Sequence, residues 1–326
     1  MQPLVRVIAG CVLAVLVATQ VPAQSEAPPF PSRPVKMIVP FPPGGPTDLM
    51  ARVFGQKLAE RWGHPVVIEN RAGGNSSIGA ELTAKSPPDG YTLLVAMDVT
   101  LVMNPITTAN LPYDAQKDFA PISLTALNTS LLVVPANGPQ TVQELIAKAK
   151  ANPGKLNYGA GIITTRLAGY LFSRLAGIDT LFIPYKGSAE VVQGLLTGSI
   201  DFSIDGVSAS IPLIKEGKLR ALAKLNNRPL TVLPDLKPLS VAANLPELGE
   251  ISTWAGLVAP AGTPSTVIDF IQRDVAAVAA DPEVGAKLQG FGIVATSSTP
   301  SEFSRYYRSE LVRWSKVFRD SGITLD

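Results

Sequence analysis

Few side chains in this sequence could act as a nucleophile or as a general base. The 326 residues include one histidine and one cysteine. His64 lies in RWGHPVVIEN, before a proline and far in sequence from any suitable serine, so we interpret it as a turn residue. Cys11 lies near the N-terminus, in a segment that we expect to be removed. A catalytic triad or a zinc centre would need unusual parts, and we predict no catalytic residue, no metal site and no cofactor.

One pair of carboxylates lies close enough in sequence to be considered as the catalytic pair of a hydrolase. Asp201 and Asp205 flank the short predicted strand DFSID, so both side chains would face the same way, about 13 Å apart. That separation is too long for two carboxyl groups that act on one glycosidic bond. Asp205, at the carboxyl end of the strand, either contacts a ligand at the rim of a cleft or caps the helix that begins near Val207.

The stretch VKMIVPFPPGGPTD sets two prolines and two glycines between an apolar run and a helical pattern. Gly45 suits the N-cap position and Pro46 the first helical position, and the carboxylate of Asp48 favours the positive end of the helix dipole. Capping does not account for residues 42–44. Their exposed backbone groups would suit a bound anion, but a tight strand-to-helix turn with no further role is equally compatible with the spacing.

Composition and motifs disfavour several ligand classes. The formal net charge is +2, with no basic run and 6% aromatic residues, which makes nucleic acid and anionic membranes poor partners. The second glycine-rich segment, ENRAGGNSSIGAE, lacks both the Gly-Lys-Ser/Thr of a P-loop and the G-x-G-x-x-G spacing. Phosphate and dinucleotide binding are therefore disfavoured.

The first residues are typical of a secretory signal peptide. Arg6 precedes the apolar segment VIAGCVLAVLVA, and Val21 and Ala23 suit the −3 and −1 positions of a cleavage site. We predict cleavage after Ala23 and export across the inner membrane to the periplasm. The residues around Cys11 resemble a lipoprotein site, but the apolar core continues beyond them, which favours an ordinary signal peptide.

Short apolar runs alternate with helical periodicity along almost the whole chain, which predicts an α/β fold with mostly parallel strands. Three strand–helix units begin with VKMIVPF, PVVIENR and YTLLVAM. A long connection, DFAPISLTALNTSLLVVPA, precedes a second series of four strands and four helices. A second crossing, ISTWAGLVAPAGTP, then leads to two long amphipathic C-terminal helices. Two crossings predict two lobes joined by a double hinge, with a cleft between them for a small ligand.

The length and the two crossings give approximate boundaries. A chain of this size exceeds what one core usually holds, which also favours two lobes. We predict a signal peptide (1–23), the first part of lobe 1 (24–130), lobe 2 (131–243) and a return segment (244–326) whose C-terminal helices pack on lobe 1.

Ten short segments occur in a fixed order from about Pro31 to the C-terminus, among them PSRPVKMIVPFPPGGPTD, PVVIENRAGG, LPYDAQKDFAPIS, PYKGSAE and WAGLVAPAGTP. Together they resemble the extracytoplasmic solute receptors of tripartite tricarboxylate transporters, also called the Bug family. The resemblance implies a two-lobed, type II-like periplasmic binding protein that is monomeric and not an enzyme. It would close on a small organic carboxylate, with a dicarboxylate or an aromatic acid as alternatives, and present it to inner-membrane permease subunits.

The resemblance also implies where the ligand binds. In the family, the loop that matches residues 42–47 holds a ligand carboxylate largely through backbone groups and bridging waters, and loops of the second lobe complete the site. The residues expected to line it are Phe41, Pro42, Pro43, Gly44, Gly45, Thr47, Ser77, Asp98, Thr100, Gly161, Thr164, Thr165, Arg166, Tyr185, Lys186, Gly187, Ser188 and Asp205.

The chain departs from the family pattern in loops that would face the ligand. YGAGIITTRLAG puts Arg166 where a histidine is usual, with Ile162 and Ile163 beside it, and MDVT puts Asp98 at the expected pocket edge. Arg166 either pairs with a second ligand carboxylate or stays in solvent, and the two isoleucines favour an apolar ligand body. Two rival functions remain at this point. One is a sensory input protein for a receptor kinase, and the other is a periplasmic enzyme with an aspartate or lysine as its base.

Overall fold

Two β-sheets with flanking helices form the protein in a computed structural model that describes residues 30–249 and 251–321. The predicted signal peptide, its cleavage site and Cys11 lie outside these residues. None of the helices in the described ranges combines the length and the apolar character that a membrane span requires.

Six strands of the described chain form the first sheet, in the order β11-β4-β10-β3-β1-β2. They are β1 (Val35–Val39), β2 (Val66–Asn70), β3 (Thr92–Met97), β4 (Phe119–Asn128), β10 (Thr253–Pro260) and β11 (Ile293–Ala295). β1 runs parallel to β2 and β3, whereas β10 runs antiparallel to β3 and β4. β11 pairs with β4, also antiparallel.

Five further strands form the second sheet, in the order β7-β6-β8-β5-β9. They are β5 (Ser130–Pro135), β6 (Leu156–Ala160), β7 (Thr180–Pro184), β8 (Phe202–Gly206) and β9 (Leu219–Lys224). β6 is parallel to β7 and β8, and β5 is antiparallel to β8 and β9.

The two-sheet α/β fold class is confirmed, but the sheets are mixed and not mostly parallel. The two segments predicted as connections are themselves strands. β4 and β5 lead the chain from the first sheet to the second, and β10 follows where the chain returns to the first sheet. β5 and β10 begin where the chain crosses between the sheets. Each of these two strands therefore runs away from the crossing. The strands that pair with them run toward it, so the pairs are antiparallel.

Helices cover the faces of both sheets. Their bounds are α1 (Pro46–Trp62), α2 (Ser77–Ala84), α3 (Asn104–Thr107), α4 (Val142–Ala151), α5 (Ile163–Ala176), α6 (Ser188–Thr197), α7 (Val207–Lys215), α8 (Leu239–Ala242), α9 (Ser265–Ala279), α10 (Pro282–Gln289) and α11 (Pro300–Ser321). A π-helix (Val99–Met103) follows β3, and a short 3-10 helix (Pro246–Leu248) follows α8.

The first of the two long helices predicted near the C-terminus is in fact two helices, α9 and α10. Asp281 caps α10 by accepting the Glu283 N–H, and Pro282 occupies its first turn, so the chain restarts there. α9 and α11 pack against β4, and α1 packs against α9 and α10. Gly256 of β10 lies against Phe303 of α11, where a Cβ atom would come 2.0 Å from the ring, so this position requires glycine.

Candidate functional site

A cavity of about 200 Å³, here called the main cavity, lies between the two sheets. Ten of the predicted site residues line it: Phe41, Pro42, Pro43, Gly45, Thr47, Thr165, Lys186, Gly187, Ser188 and Asp205. Nine residues outside the list of expected lining residues complete the wall: Pro46, Met97, Asn128, Ser130, Ile162, Ala189, Glu190, Gly206 and Thr253. Both sheets contribute, so the wall is built from segments that are distant in sequence.

A second cavity of about 340 Å³, here called the side cavity, adjoins the first. The two share Phe41, Pro42 and Lys186 as lining residues. Gly161 and Tyr185, both predicted site residues, line the side cavity together with the loop 72–76. Four consecutive residues of that loop, 73–76, have positive φ angles, an arrangement that costs free energy for a residue other than glycine.

Four helices begin at the wall of the main cavity. The N-cap residues of α1, α5, α6 and α7 are Gly45, Ile162, Gly187 and Gly206, and no side chain of the described residues caps any of the four ends. Backbone N–H groups in a first helical turn lack partners within the helix, and the helix dipole adds partial positive charge there. The main cavity is therefore an environment suited to an anion.

The loop of residues 41–45, here called the Pro-Gly loop, is held in place by Asp48. The Asp48 carboxylate accepts the Gly44 N–H at 3.0 Å, the Asn70 amide at 2.9 Å and the Arg52 Nε–H at 2.9 Å. Asn70 also donates to the Phe41 carbonyl at 3.0 Å. Burial alone would raise the pKa of Asp48, but these hydrogen bonds and the Arg52 charge hold it below its usual value. Asp48 therefore holds the Pro-Gly loop as well as interacting with the helix dipole. The sequence reasoning did not identify Asn70.

Asp205 lies in the wall of the main cavity, at the carboxyl end of β8. Its Oδ1 accepts the Ser188 hydroxyl at 3.0 Å, whereas its Oδ2 is buried and has no partner among the described residues. Burial raises the pKa of this carboxyl to about 6, against the opposing effect of the Gly206 N–H and Ser188. Asp205 does not cap α7. Asp201, at the other end of β8, pairs with Lys148 at 2.9 Å, so the two aspartates do not act together.

The crossing strands supply polar residues that the sequence reasoning missed. Asn128 ends β4, Ser130 begins β5 and Thr253 begins β10, and all three line the main cavity. The Asn128 Oδ1 atom is buried without a partner in the described chain. The available indication was the polar triplet NTS, which interrupts the apolar run LTALNTSLLVV where the chain crosses.

Six predicted site residues line neither cavity, and three of them support the loops. Gly44 has a φ of 86° and donates its N–H to Asp48. The Thr100 hydroxyl is 2.9 Å from that of Ser76, and Asn104 donates to the Ser77 hydroxyl at 3.4 Å. These contacts lie behind the 72–76 loop. Thr100 and Ser77 therefore hold that loop and do not face the cavity.

Asp98 and Thr164 form a buried contact between the two halves of the fold. Asp98 lies between β3 of the first sheet and the π-helix that follows it. The hydroxyl of Thr164, in α5, donates to the Oδ2 atom of Asp98. Burial raises the pKa of Asp98 to about 7, opposed by the hydrogen bonds from Thr164 and from the backbone of Trp254. The negative charge of Glu310 raises it further. Asp98 was expected at the pocket edge but is buried beside it.

Arg166 has an aromatic partner in this structure. Its guanidinium carbon lies 4.6 Å from the centroid of the Phe182 ring, which is a cation–π distance. It lines neither the main cavity nor the side cavity. Pairing of Arg166 with a ligand carboxylate stays a prediction.

Two mixed sheets, crossing strands between them and a cavity at the crossing define a periplasmic binding protein of the two-sheet α/β type. Residues 50–323 match the family described as tripartite tricarboxylate transporter family receptor, TctC. The chain therefore belongs to this family, which is a family of binding proteins and not of enzymes.

Similar proteins agree with this assignment along almost their full lengths. Protein BugT of Bordetella pertussis is 34% identical over 319 residues, which cover 96% of this chain and 97% of that protein. A Rhodopseudomonas palustris protein solved with adipate has a TM-score of 0.86 at 33% identity, with 90% of this chain and 99% of that chain covered. MatC from the same species, solved with bound malate, has a TM-score of 0.81 at 28% identity, with 88% and 99% covered.

Proposed function

We propose that this protein captures a small organic carboxylate in the main cavity and delivers it, in the periplasm, to the membrane subunits of a tripartite tricarboxylate-type permease. The observation that carries the proposal is the convergence of four helix N-termini, without side-chain caps, on one cavity between the sheets. Unpaired backbone N–H groups bind a carboxylate without any arginine in the wall.

The rest of the wall favours a small organic acid over an inorganic anion. Phe41, Met97 and Ile162 supply apolar surface for a hydrocarbon body, whereas Asn128 and Ser130 offer polar atoms at fixed positions. The similar proteins solved with adipate and malate support the same ligand class. Both are dicarboxylates. The side cavity gives the far end of such a ligand a place to lie, with Lys186 between the two cavities.

A thermal-shift screen tests this function. The panel contains malate, adipate, succinate, benzoate and inorganic phosphate, each added to the purified mature protein. A ligand at 100 times its dissociation constant adds about 2.7 kcal/mol to the free energy of unfolding, which raises the melting temperature measurably. We expect at least one carboxylate to do so and phosphate to have no effect. A panel with no effect, or with phosphate alone active, would contradict carboxylate binding.

Delivery to a permease needs a separate measurement. Cells that lack this protein are expected to lose concentrative uptake of the carboxylate that binds, and the wild-type gene is expected to restore it. Unchanged uptake, together with a lost transcriptional response to that carboxylate, would instead support a sensory role.

A further inference from the structure

We propose that binding of a carboxylate to the main cavity is coupled to the uptake of one proton by Asp205, so that the ligand and the Asp205 side chain together hold one proton that two ionised carboxylates would not. The inference rests on the proposed function, because it concerns the same site. The proton comes from solvent when the ligand binds and returns to solvent when the ligand leaves.

The geometry places Asp205 where a second carboxylate is expected to bind. Its side chain is 3% exposed and forms part of the cavity wall. It directly precedes Gly206, the N-cap of α7, and accepts a hydrogen bond from Ser188, the first residue of α6. Asp205 therefore lies beside the N-terminal ends of two of the four helices that would attract a ligand. An incoming carboxylate must share them.

Two carboxylates that share one site do not both stay ionised, because their repulsion raises the pKa of one of them. Of the two carboxylates, Asp205 is the one that takes up the proton. Its Oδ2 atom is buried and unpartnered within the described residues, so ionisation leaves an unsatisfied negative atom there. Burial has already raised the pKa of Asp205 to about 6 before any ligand is present. A nearby ligand charge raises it further.

The other charged groups around Asp205 are not placed to take up a proton when the ligand binds. Lys186 and Glu190 also line the main cavity, but both are exposed, and the Glu190 carboxylate accepts the backbone N–H of Lys186 at 3.0 Å. β5, which pairs with β8, carries no ionisable side chain. The ionisable residues on the other neighbouring elements are Asp48, Arg52, Lys57, Glu60 and Arg61 of α1, Tyr158 of β6, Arg166, Tyr170 and Arg174 of α5, Lys215 of α7, and Arg220 and Lys224 of β9. Asp48 and Arg52 pair with each other, and Lys224 donates to the Arg228 carbonyl.

The coupling has a measurable size. If only the protonated form binds, a pKa of about 6 in the free protein implies that affinity falls about 50-fold between about pH 6 and about pH 8. The same pKa implies that about 0.9 proton is taken up per ligand bound near pH 7.

The experiment compares the wild type with Asp205→Asn, using whichever of malate, adipate, succinate and benzoate gives the largest thermal shift. The amide of asparagine is neutral at every pH, and its oxygen can still accept the Ser188 hydroxyl. Titration calorimetry at several pH values gives the dissociation constant, and buffers of different ionisation enthalpy give the number of protons taken up. Comparison of the two proteins cancels the titration of the ligand itself. Asp201→Asn is the matched control, because it makes the same change directly before the same strand, outside both cavities.

We expect the affinity of the wild type and of Asp201→Asn to fall with rising pH as stated, with proton uptake, and that of Asp205→Asn to be independent of pH in this range without uptake. Calorimetry on the wild type needs no variant, so misfolding of Asp205→Asn would not leave the question open. Binding by the wild type without proton uptake near pH 7 would overturn the coupling alone. Absence of binding by all four acids at about pH 6 would overturn the proposed function and the coupling with it.

Discussion

Lys186 and Arg166 are the two cations among the residues predicted to line the site, and the structure gives them different surroundings. Lys186 lines both cavities and its side chain is exposed. Arg166 lies over the Phe182 ring and lines neither cavity. A second ligand carboxylate that extends into the side cavity would therefore meet the Lys186 ammonium before it meets the Arg166 guanidinium.

Replacement of Lys186 by glutamine is expected to weaken the binding of a dicarboxylate more than that of a monocarboxylate. An exposed ion pair contributes up to about 1 kcal/mol, so the dissociation constant for malate or adipate should rise about three- to fivefold. Isothermal titration with mono- and dicarboxylates of similar length measures the difference. Arg166→Gln is the matched control, and it should leave the dicarboxylate affinity within about twofold. A larger effect of Arg166→Gln than of Lys186→Gln would reverse the assignment.

At the scale of secondary-structure elements, the sequence predicts helices and strands well where one face is apolar and the other polar. It fails at β5 and β10, because a strand buried on both faces shows a continuous apolar run without alternation. It also fails at β4, which is only partly buried and lies in the segment that was interpreted as a connection. That failure also hid Asn128, Ser130 and Thr253, which these strands carry to the main cavity. The Pro-Gly loop could be predicted from its residue types. Its hydrogen bonds to Asp48 and Asn70 could not, because they depend on the parallel pairing of β1 with β2.

The start of α7 lies close to the start of α1 across the main cavity. A Cβ atom at Gly206 would come 3.0 Å from Cγ of Pro46, which is a tight contact between elements of different sheets. The backbone of Gly206, with φ of −63° and ψ of 146°, is accessible to alanine without strain. A methyl group there therefore obstructs the approach of the two helices and leaves the local fold unstrained.

Gly206→Ala is expected to weaken ligand binding, because the two helix ends must stay close to hold one carboxylate. Overpacking of this kind costs about 1–2 kcal/mol, which corresponds to about a five- to thirtyfold rise in the dissociation constant. Gly285→Ala is the control, because a Cβ atom at Gly285 in α10 meets no neighbour within 4 Å. Equal affinities of the two variants would show that closure tolerates the methyl group.

At the scale of the whole molecule, the chain passes between the sheets at residues 128–130 and again between β9 and β10. The Asp98–Thr164 hydrogen bond is a further link between the two halves, away from both crossings in sequence. Asp98 is 1% exposed, and its Oδ1 has no partner in the described part of the chain. A carboxyl group in this position is more stable with its proton than without it. We therefore expect the stability of the junction between the halves to depend on pH.

Asp98 is expected to make the protein less stable as pH rises toward 8. Its folded-state pKa of about 7 exceeds the value of 3.8 for an unperturbed aspartate. The stabilising contribution is therefore fully present below 3.8 and is lost as pH rises through about 7. Between about pH 5 and about pH 8 this group alone should lower the free energy of unfolding by on the order of 2–3 kcal/mol.

Asp98→Asn tests this assignment, because asparagine keeps an acceptor for Thr164 and does not ionise. Urea unfolding of the ligand-free protein at several pH values gives the free energy of unfolding. The difference in free energy of unfolding between Asp98→Asn and wild type should shift in favour of the variant as pH rises, by the amount that Asp98 loses.

Asp269→Asn, an exposed change on α9, is the control, and its free energy of unfolding should depend on pH as that of the wild type does. Glu310 and Tyr306 of α11 interact with Asp98 but are present in both proteins, so they cancel in the comparison. Parallel pH profiles for Asp98→Asn and wild type would mean that Asp98 does not titrate between the halves of the fold.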